Sequence, residues 1–462
     1  MAAGAGERDD KAARAATRRV RWIALGARLF STTSLLSAAR ITGALAGFLT
    51  QVLLARALQA YGLGLFYSVT SMAALMSLLA AHGYPAIAPR FLSRYRKQDK
   101  QELVAAFIAK SRRAATLYVV VSVAAVVAFA GLWPGLSAEA RAAIIAAALS
   151  IPASAAIRIN GALAATLRRF ALSYLPDTSI RPFLLLAAVG VLLALGVPLS
   201  APSVTWLLTI VLTVLALAQY FLLARDMPRG QAATPAPPRL VKIWQREARP
   251  LIVVALFTYF FADVDILLVT PLLSRAETAA IGLCLKLAML VGFAVQVAHQ
   301  VAMPDLADAR AHKDPDAIRE ALVKALGFPL AITFSATAVV ALFGEHLLAI
   351  FGPEFISAKW PLVILMAGQF ARAVFGPSVS LLTVIGAQKA NAALVIASLV
   401  ILAIANLVLA PLYGVLGAAI AVALATLFWL IASAIVLDRL SGYRPDAISL
   451  LVRLISARSA PA

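Results

Sequence analysis

The chain has 462 residues, 62% of them hydrophobic and only 13% charged, with a mean hydropathy of +0.90; a soluble globule of that composition would expose apolar surface it has no polar residues to cover, so a soluble fold is excluded. The formal net charge of +20 is divided among short gaps between apolar segments and forms no basic face on a water-exposed domain. That argues against nucleic acid as a partner and for orientation in a bilayer with anionic headgroups. The lone Cys284 rules out an internal disulfide or a cysteine-rich metal site and reads as a packing residue.

The first 30 residues are polar and basic, and the apolar segment after them is too long for a signal-peptide core, so no cleaved leader is expected. Apolar spans then follow at about 31–55, 64–86, 114–133, 138–160, 180–198, 203–224, 250–273, 278–303, 326–350, 357–384, 392–411 and 415–437. Each supplies the roughly 20 residues a helix needs to cross about 30 Å of hydrocarbon. The expected fold is an all-α polytopic membrane protein with about twelve transmembrane helices. Tails at 1–30 and 439–462 flank lobes at 31–224 and 250–438, joined by a linker at 225–249 rich in proline and polar residues.

Of the 41 Lys and Arg, counting those in the first or last four residues of a span with the adjoining gap, 34 fall in the two tails and the even-numbered gaps, four in the odd-numbered gaps (Arg56, Arg141, Arg275, Lys359) and three well inside spans. This asymmetry predicts cytoplasmic termini and a cytoplasmic linker. The sequence also repeats. Pro89, Asp99, Leu103 and Phe107 match Pro304, Asp314, Ile318 and Leu322 at an offset of 215, and Gly64-Leu65 matches Gly282-Leu283 at 218. Six spans per repeat is an even number, so the two halves enter the membrane from the same side and form two repeated six-helix lobes facing each other. The amphipathic pattern of 99–113 and 314–325 predicts short helices lying at the membrane surface.

A charge at mid-membrane costs at least about 2.5–3.5 kcal/mol, so those present are expected to face the bundle interior or a wet cavity. In the first span Arg40, Ala44, Gly47 and Gln51 form one small, polar stripe. Gln369, Arg372, Gly376 and Ser380 form another in the tenth, where Pro377 is expected to loosen the helix. Lys286 lies mid-depth in the eighth span, on a face with Phe293, Val297 and Gln300. Arg40, Lys286 and Arg372 are expected to meet in one cavity; the alternative for each is snorkelling to a headgroup or a buried ion pair. Arg56, at a helix end, reads as a substrate contact or a headgroup anchor. Asp263 and Asp265 point about 200° apart, so only one can face the cavity squarely, and one is expected to pair with a cation. His299, beside Gln296 and Gln300, could relay protons or bond between helices. No Gly-Lys pair exists, Gly62-Leu63-Gly64 lacks a third glycine, and four scattered histidines make no metal pattern; no cofactor and no enzymatic chemistry are expected.

Several segments resemble a known family. Phe351-Gly352-Pro353-Glu354-Phe355, Leu381 to Gly386, and Pro411 through Ala419 are similar to segments of the Wzx-type polysaccharide flippases. So are Leu53-Leu54-Ala55-Arg56 with Gly62 to Phe66, and Asp265-Ile266-Leu267-Leu268. That family lies within the multidrug/oligosaccharidyl-lipid/polysaccharide exporter superfamily. The resemblance implies two lobes around a central cationic cavity, moving a polyprenyl-diphosphate-linked oligosaccharide from the cytoplasmic to the outer leaflet of a bacterial inner membrane. Arg40, Lys286 and Arg372, which no short motif of the family fixes, are the candidates to supply that cavity's diphosphate contacts, with Gln51, Gln369 and Arg56 as further candidate substrate contacts; Asp265 resembles the family's helix-seven acid, which implies ion coupling or ion pairing, and Asp263 and His299 are further candidates from their own positions. Glycosyltransferases and a polysaccharide polymerase are the partner enzymes such a role involves. Relatives that flip the peptidoglycan precursor have fourteen helices, which sets the twelve counted here apart. The competing expectation, a drug or cation antiporter of the same superfamily, calls for a buried carboxylate in the first lobe, and none of the first six spans as drawn holds one at mid-depth.

Overall fold

A computed structural model of the chain describes residues 32–225, 236–311, 315–442 and 444–450. The two tails as far as 1–31 and 451–462, the linker centre 226–235, Asp314 and the side chain of Gln300 lie outside the described residues.

The described chain is helical throughout. In order, the elements are α1 (Thr32–Ala80), α2 (Tyr84–Lys97), α3 (Gln101–Leu132), α4 (Ala138–Thr166), α5 (Phe170–Leu175), a π-helical turn (Pro176–Ile180), α6 (Arg181–Ala194) and α7 (Ala201–Ala224). They continue as α8 (Pro238–Val269), α9 (Arg275–Ala311), α10 (Pro315–Ala349), a 3₁₀ turn (Pro353–Ala358), α11 (Lys359–Val374), α12 (Ser378–Val384) and α13 (Gln388–Ser441).

Eight of these stretches are long and apolar enough to cross a bilayer, and the bent pair Pro238–Leu256 and Phe260–Val269 adds a ninth. Two of the eight, of 60 and 54 residues, would measure about 80–90 Å if straight, far more than one crossing of about 30 Å. Each contains a residue outside the helical region, Gln59 (φ 53°) in α1 and Gly414 (φ 58°) in α13, and so makes two spans. Gly414 closes the turn Pro411-Leu412-Tyr413-Gly414, a conformation in which a Cβ is strained. With α11 and α12 taken as one broken span the total is twelve, in two six-helix lobes. The break in that span falls where Pro377 places it: Gly376 turns left-handed (φ 59°) between the two helices.

Side-chain caps start three helices. The Ser137 hydroxyl accepts from Ala140 N at the head of α4, Ser200 and Ser203 form a capping box at α7, and Ser274 and Glu277 do the same at α9.

Three expectations are corrected. Residues 99–113 and 314–325 do not form separate surface helices: among the described residues they run without interruption into the spans, as the first turns of α3 and α10. The short helix at that surface is α2, which follows a turn at His82 and Gly83 and buries Ile87, Phe91 and Tyr95 on one side. Nor is 225–249 all linker. α8 starts at Pro238, where a proline's missing N–H costs nothing, and its first turns are anchored: Trp244 is fully buried, its indole N–H donating to the Tyr95 hydroxyl at 2.9 Å. The polar character of the segment reflects α8's exposed face.

Candidate functional site

A cavity of about 480 Å³ lies among the helices of the first lobe and is closed on one side by α8 and α9. Its walls are unusually polar for a membrane interior. Thr50 and Gln51 come from α1, Ser150, Ser154 and Arg158 from α4, Asp177 and Arg181 from the π-turn region, Asp263 from α8 and Lys286 from α9. Three cations thus face two carboxylates.

The local geometry explains how they are held. The π-helical turn begins at Pro176, and with α6 directly after it, Asp177 and Arg181 point together into the cavity, forming a salt bridge of 2.8 Å. Such turns recur where a helix must re-aim its side chains. The turn is fixed against α1 by the Ser179 hydroxyl, which donates to the Ala39 carbonyl at 2.7 Å. Asp263 accepts from the Ser71 hydroxyl at 2.8 Å. The Lys286 ammonium lies 4.9 Å from the centroid of the buried Tyr67 ring, whose hydroxyl donates to Gln51 Oε1 at 2.6 Å. Arg158 has no carboxylate within salt-bridge distance among the described residues; its guanidinium lies 4.3 Å from the centroid of the Phe260 ring, and its Nε is buried without a partner.

A second, smaller cavity of about 80 Å³ adjoins the first, sharing Ala262 and Met289 as common walls. It is largely apolar and carries Gln369 and Arg372 from α11. The Arg372 guanidinium donates to Gln369 Oε1 over a long 3.4 Å.

The structure therefore distributes the sequence-derived residues over several places. Gln51, Asp263 and Lys286 line the large cavity, and Gln369 and Arg372 the small one. Arg40 lines neither: it stacks on Tyr174, 4.8 Å from the ring centroid. The expected convergence of Arg40, Lys286 and Arg372 on one cavity is not formed, because Arg40 sits nearly two turns before Gly47, the first residue of α1 to reach the cavity. Arg56 faces the second lobe and donates to the Ile350 carbonyl at 2.7 Å. His299 is half-buried, with Nε2 unpartnered, and lines neither cavity. Asp265, fully buried, turns away from the cavity and accepts from Asn406 Nδ2 at 2.7 Å; it makes no ion pair with Lys286 or Arg372.

Arg158, Asp177 and Arg181 were not singled out by sequence. Arg158 and Arg181 lie within three residues of the ends of the spans at 138–160 and 180–198 and so group by sequence with the charges of the gap between them, where Asp177 also falls. The helices in fact run on, through Thr166 in α4 and from Phe170 through the π turn into α6, which draws all three inside. Moving Arg158 and Arg181 leaves 32 cations against four, so the asymmetry stands.

Among the described residues, twelve spans in two lobes with a charged, polar cavity define a multi-pass membrane protein. The chain belongs to the polysaccharide biosynthesis protein family, whose model matches residues 29–309. No curated protein matches the sequence significantly. Among solved structures it is similar to the lipid II flippase MurJ in an inward closed conformation (TM-score 0.68, 14% identity, 87% of each chain covered). It is also similar to an inward-facing multidrug resistance MATE family transporter of the MOP superfamily (0.57, 14%, 89% of this chain and 94% of that one). A MOP superfamily transporter from Pyrococcus furiosus matches at 0.52 and 14%, over 87% and 94%. At such identities the likeness establishes the fold alone.

Proposed function

We propose that this protein is a flippase that moves a polyprenyl-diphosphate-linked oligosaccharide from the cytoplasmic to the outer leaflet of a bacterial inner membrane. The observation that carries this reading is the cavity's surplus of positive charge. Arg181 pairs with Asp177 and Asp263 is bonded to Ser71, while Arg158 feels both carboxylates at longer range without a salt bridge to either, so three cations share two carboxylates. A buried cation with no directly paired carboxylate is costly unless a ligand supplies an anion, and a diphosphate does so with bidentate hydrogen bonds. The hydroxyl and amide groups of Ser150, Ser154, Thr50 and Gln51 suit sugar hydroxyls. The family's role in polysaccharide biosynthesis agrees, and the charge asymmetry supports cytoplasmic termini. The two lobes, at 31–224 and 250–438, then alternate access to the cavity between leaflets.

Asp265 is the proposed coupling group. One of its buried carboxylate oxygens has no partner, and neither has Asn406 Oδ1; two acceptors left facing a dry interior favour a site that exchanges a proton or monovalent cation. The drug or cation antiporter reading gains one observation, the carboxylate of Asp177 inside the first-lobe cavity. That carboxylate is neutralised by Arg181, and the net charge of the wall remains positive, so an anionic substrate is favoured.

The decisive experiment reconstitutes the protein in liposomes and follows a fluorescent prenyl-diphosphate oligosaccharide between leaflets by quencher accessibility. Protein-dependent movement supports the proposal. Transport of cationic drugs with no movement of the lipid-linked sugar overturns it.

A further inference from the structure

α8 belongs to both lobes. Its first half is fastened to the first lobe: Trp244 packs edge-on against Phe107 at 4.9 Å, and Glu247 meets Arg90 at 2.7 Å. Its last turns are fastened to the second lobe through Asp265 and Asn406, with Ile266 and Val269 fully buried. Between them the helix bends by 67°, and Phe260, at the start of the second half, has left the helical region (φ −123°, ψ 15°). Phe260 is also the residue on which the Arg158 guanidinium rests. One contact therefore joins a cavity cation to the bend of the helix that connects the lobes.

We infer that Arg158 and Phe260 together sense cavity occupancy: an anionic ligand draws the guanidinium off the ring, and the freed Phe260 lets α8 change its bend. The step follows from relative strengths, since a charge-assisted bidentate bond to phosphate outweighs a cation–π contact, so a phosphate seated in the cavity away from the ring takes the guanidinium with it. Phe260 is thus a positioning residue acting through Arg158. The inference rests on the proposed anionic substrate.

The test uses full-length protein carrying Cys284→Ala, with spin labels at Ile243 in the first half of α8 and Ile404 in α13, both exposed, and farnesyl diphosphate as probe. In the parent protein the probe is expected to bind and to shift the label-to-label distance. Phe260→Leu removes the ring but keeps an apolar side chain; it is expected to bind the probe about 3-fold more tightly, because nothing competes for the guanidinium, yet to show no shift. Phe260→Tyr restores the shift. Arg158→Ala is expected to lose about tenfold in affinity. A Phe260→Leu protein that shifts as the parent does overturns the sensing role while leaving the flippase reading intact, and it decides the matter even if Arg158→Ala does not fold. A parent protein that does not bind farnesyl diphosphate overturns both.

Discussion

Asp265 shows how a single buried side chain separates two mechanisms. The sequence leaves it either as a coupling acid or as half of a static ion pair, and the structure gives it an amide partner and an orphaned oxygen. Replacement by Asn is therefore expected to leave a folded, inserted protein whose flipping no longer responds to a proton or sodium gradient; a stable mutant with unchanged gradient dependence would remove Asp265 from the mechanism. Lys286 makes a second prediction at this scale. Its ammonium is held by an aromatic ring and faces the cavity, so Lys286→Ala is expected to lower flipping about tenfold, equivalent to ~1.4 kcal/mol of lost ligand or transition-state binding, with thermal stability near that of the parent. Lys286 was legible because it sits mid-span, and Gln51 because it continues the small, polar stripe of Arg40, Ala44 and Gly47, whereas periodicity leaves open which of Asp263 and Asp265 faces inward. Arg158 was not legible, because a charge near the end of an apolar run looks the same whether the helix stops there or continues six residues into the protein.

At the scale of the element, the same ambiguity explains the larger corrections. Hydropathy marks where a helix leaves the hydrocarbon but not where it ends, so the polar first turns of α3, α8 and α10 read as loops or surface helices and are instead continuous with spans. The breaks were easier. Gly376 beside Pro377 and Gly414 after Pro411 interrupt their helices as proline and glycine chemistry dictates, whereas the π turn at Pro176 has no signal beyond that one proline. The first half of α8 yields a test of this scale. Trp244 is the largest fully buried side chain among the described residues, packed on Tyr95 and Phe107, so Trp244→Ala is expected to cost ~3–5 kcal/mol, measured as a lowered midpoint in denaturation of the detergent-solubilised protein. A change within 1 kcal/mol would mean that α8 is not fastened to the first lobe there.

Across the whole molecule, charge works differently on the two faces. The four cations in the odd-numbered gaps are all engaged: Arg56 with the Ile350 carbonyl, Arg141 with the Ala130 carbonyl, Arg275 over the Tyr61 ring and Lys359 with Glu345. Their face is thus left without loose positive charge, and the excess of cations on the other face predicts that it is the cytoplasmic one. Cysteines introduced at Ala232 or Ala460 are expected to resist impermeant reagents added outside intact cells, and efficient labelling would reverse the orientation. On the cation-poor face the lobes touch closely. Gly64 lies directly against the Arg275 carbonyl, leaving no room for a Cβ, Phe48 meets Phe351 edge-on at 5.6 Å, and the hydroxyls of Ser68 and Thr270 are 2.9 Å apart. If this face is the outer gate, these contacts must part for substrate to leave. A Ser68→Cys, Thr270→Cys pair in a Cys284→Ala background places two thiols where the hydroxyls already touch, within reach of a disulfide after small adjustment. Oxidation is expected to stop flipping in reconstituted vesicles while leaving ligand binding in place, and a reductant to restore it. Undiminished flipping by fully cross-linked protein would show that the lobes need not separate here, and rocking of two lobes about the cavity would have to be abandoned.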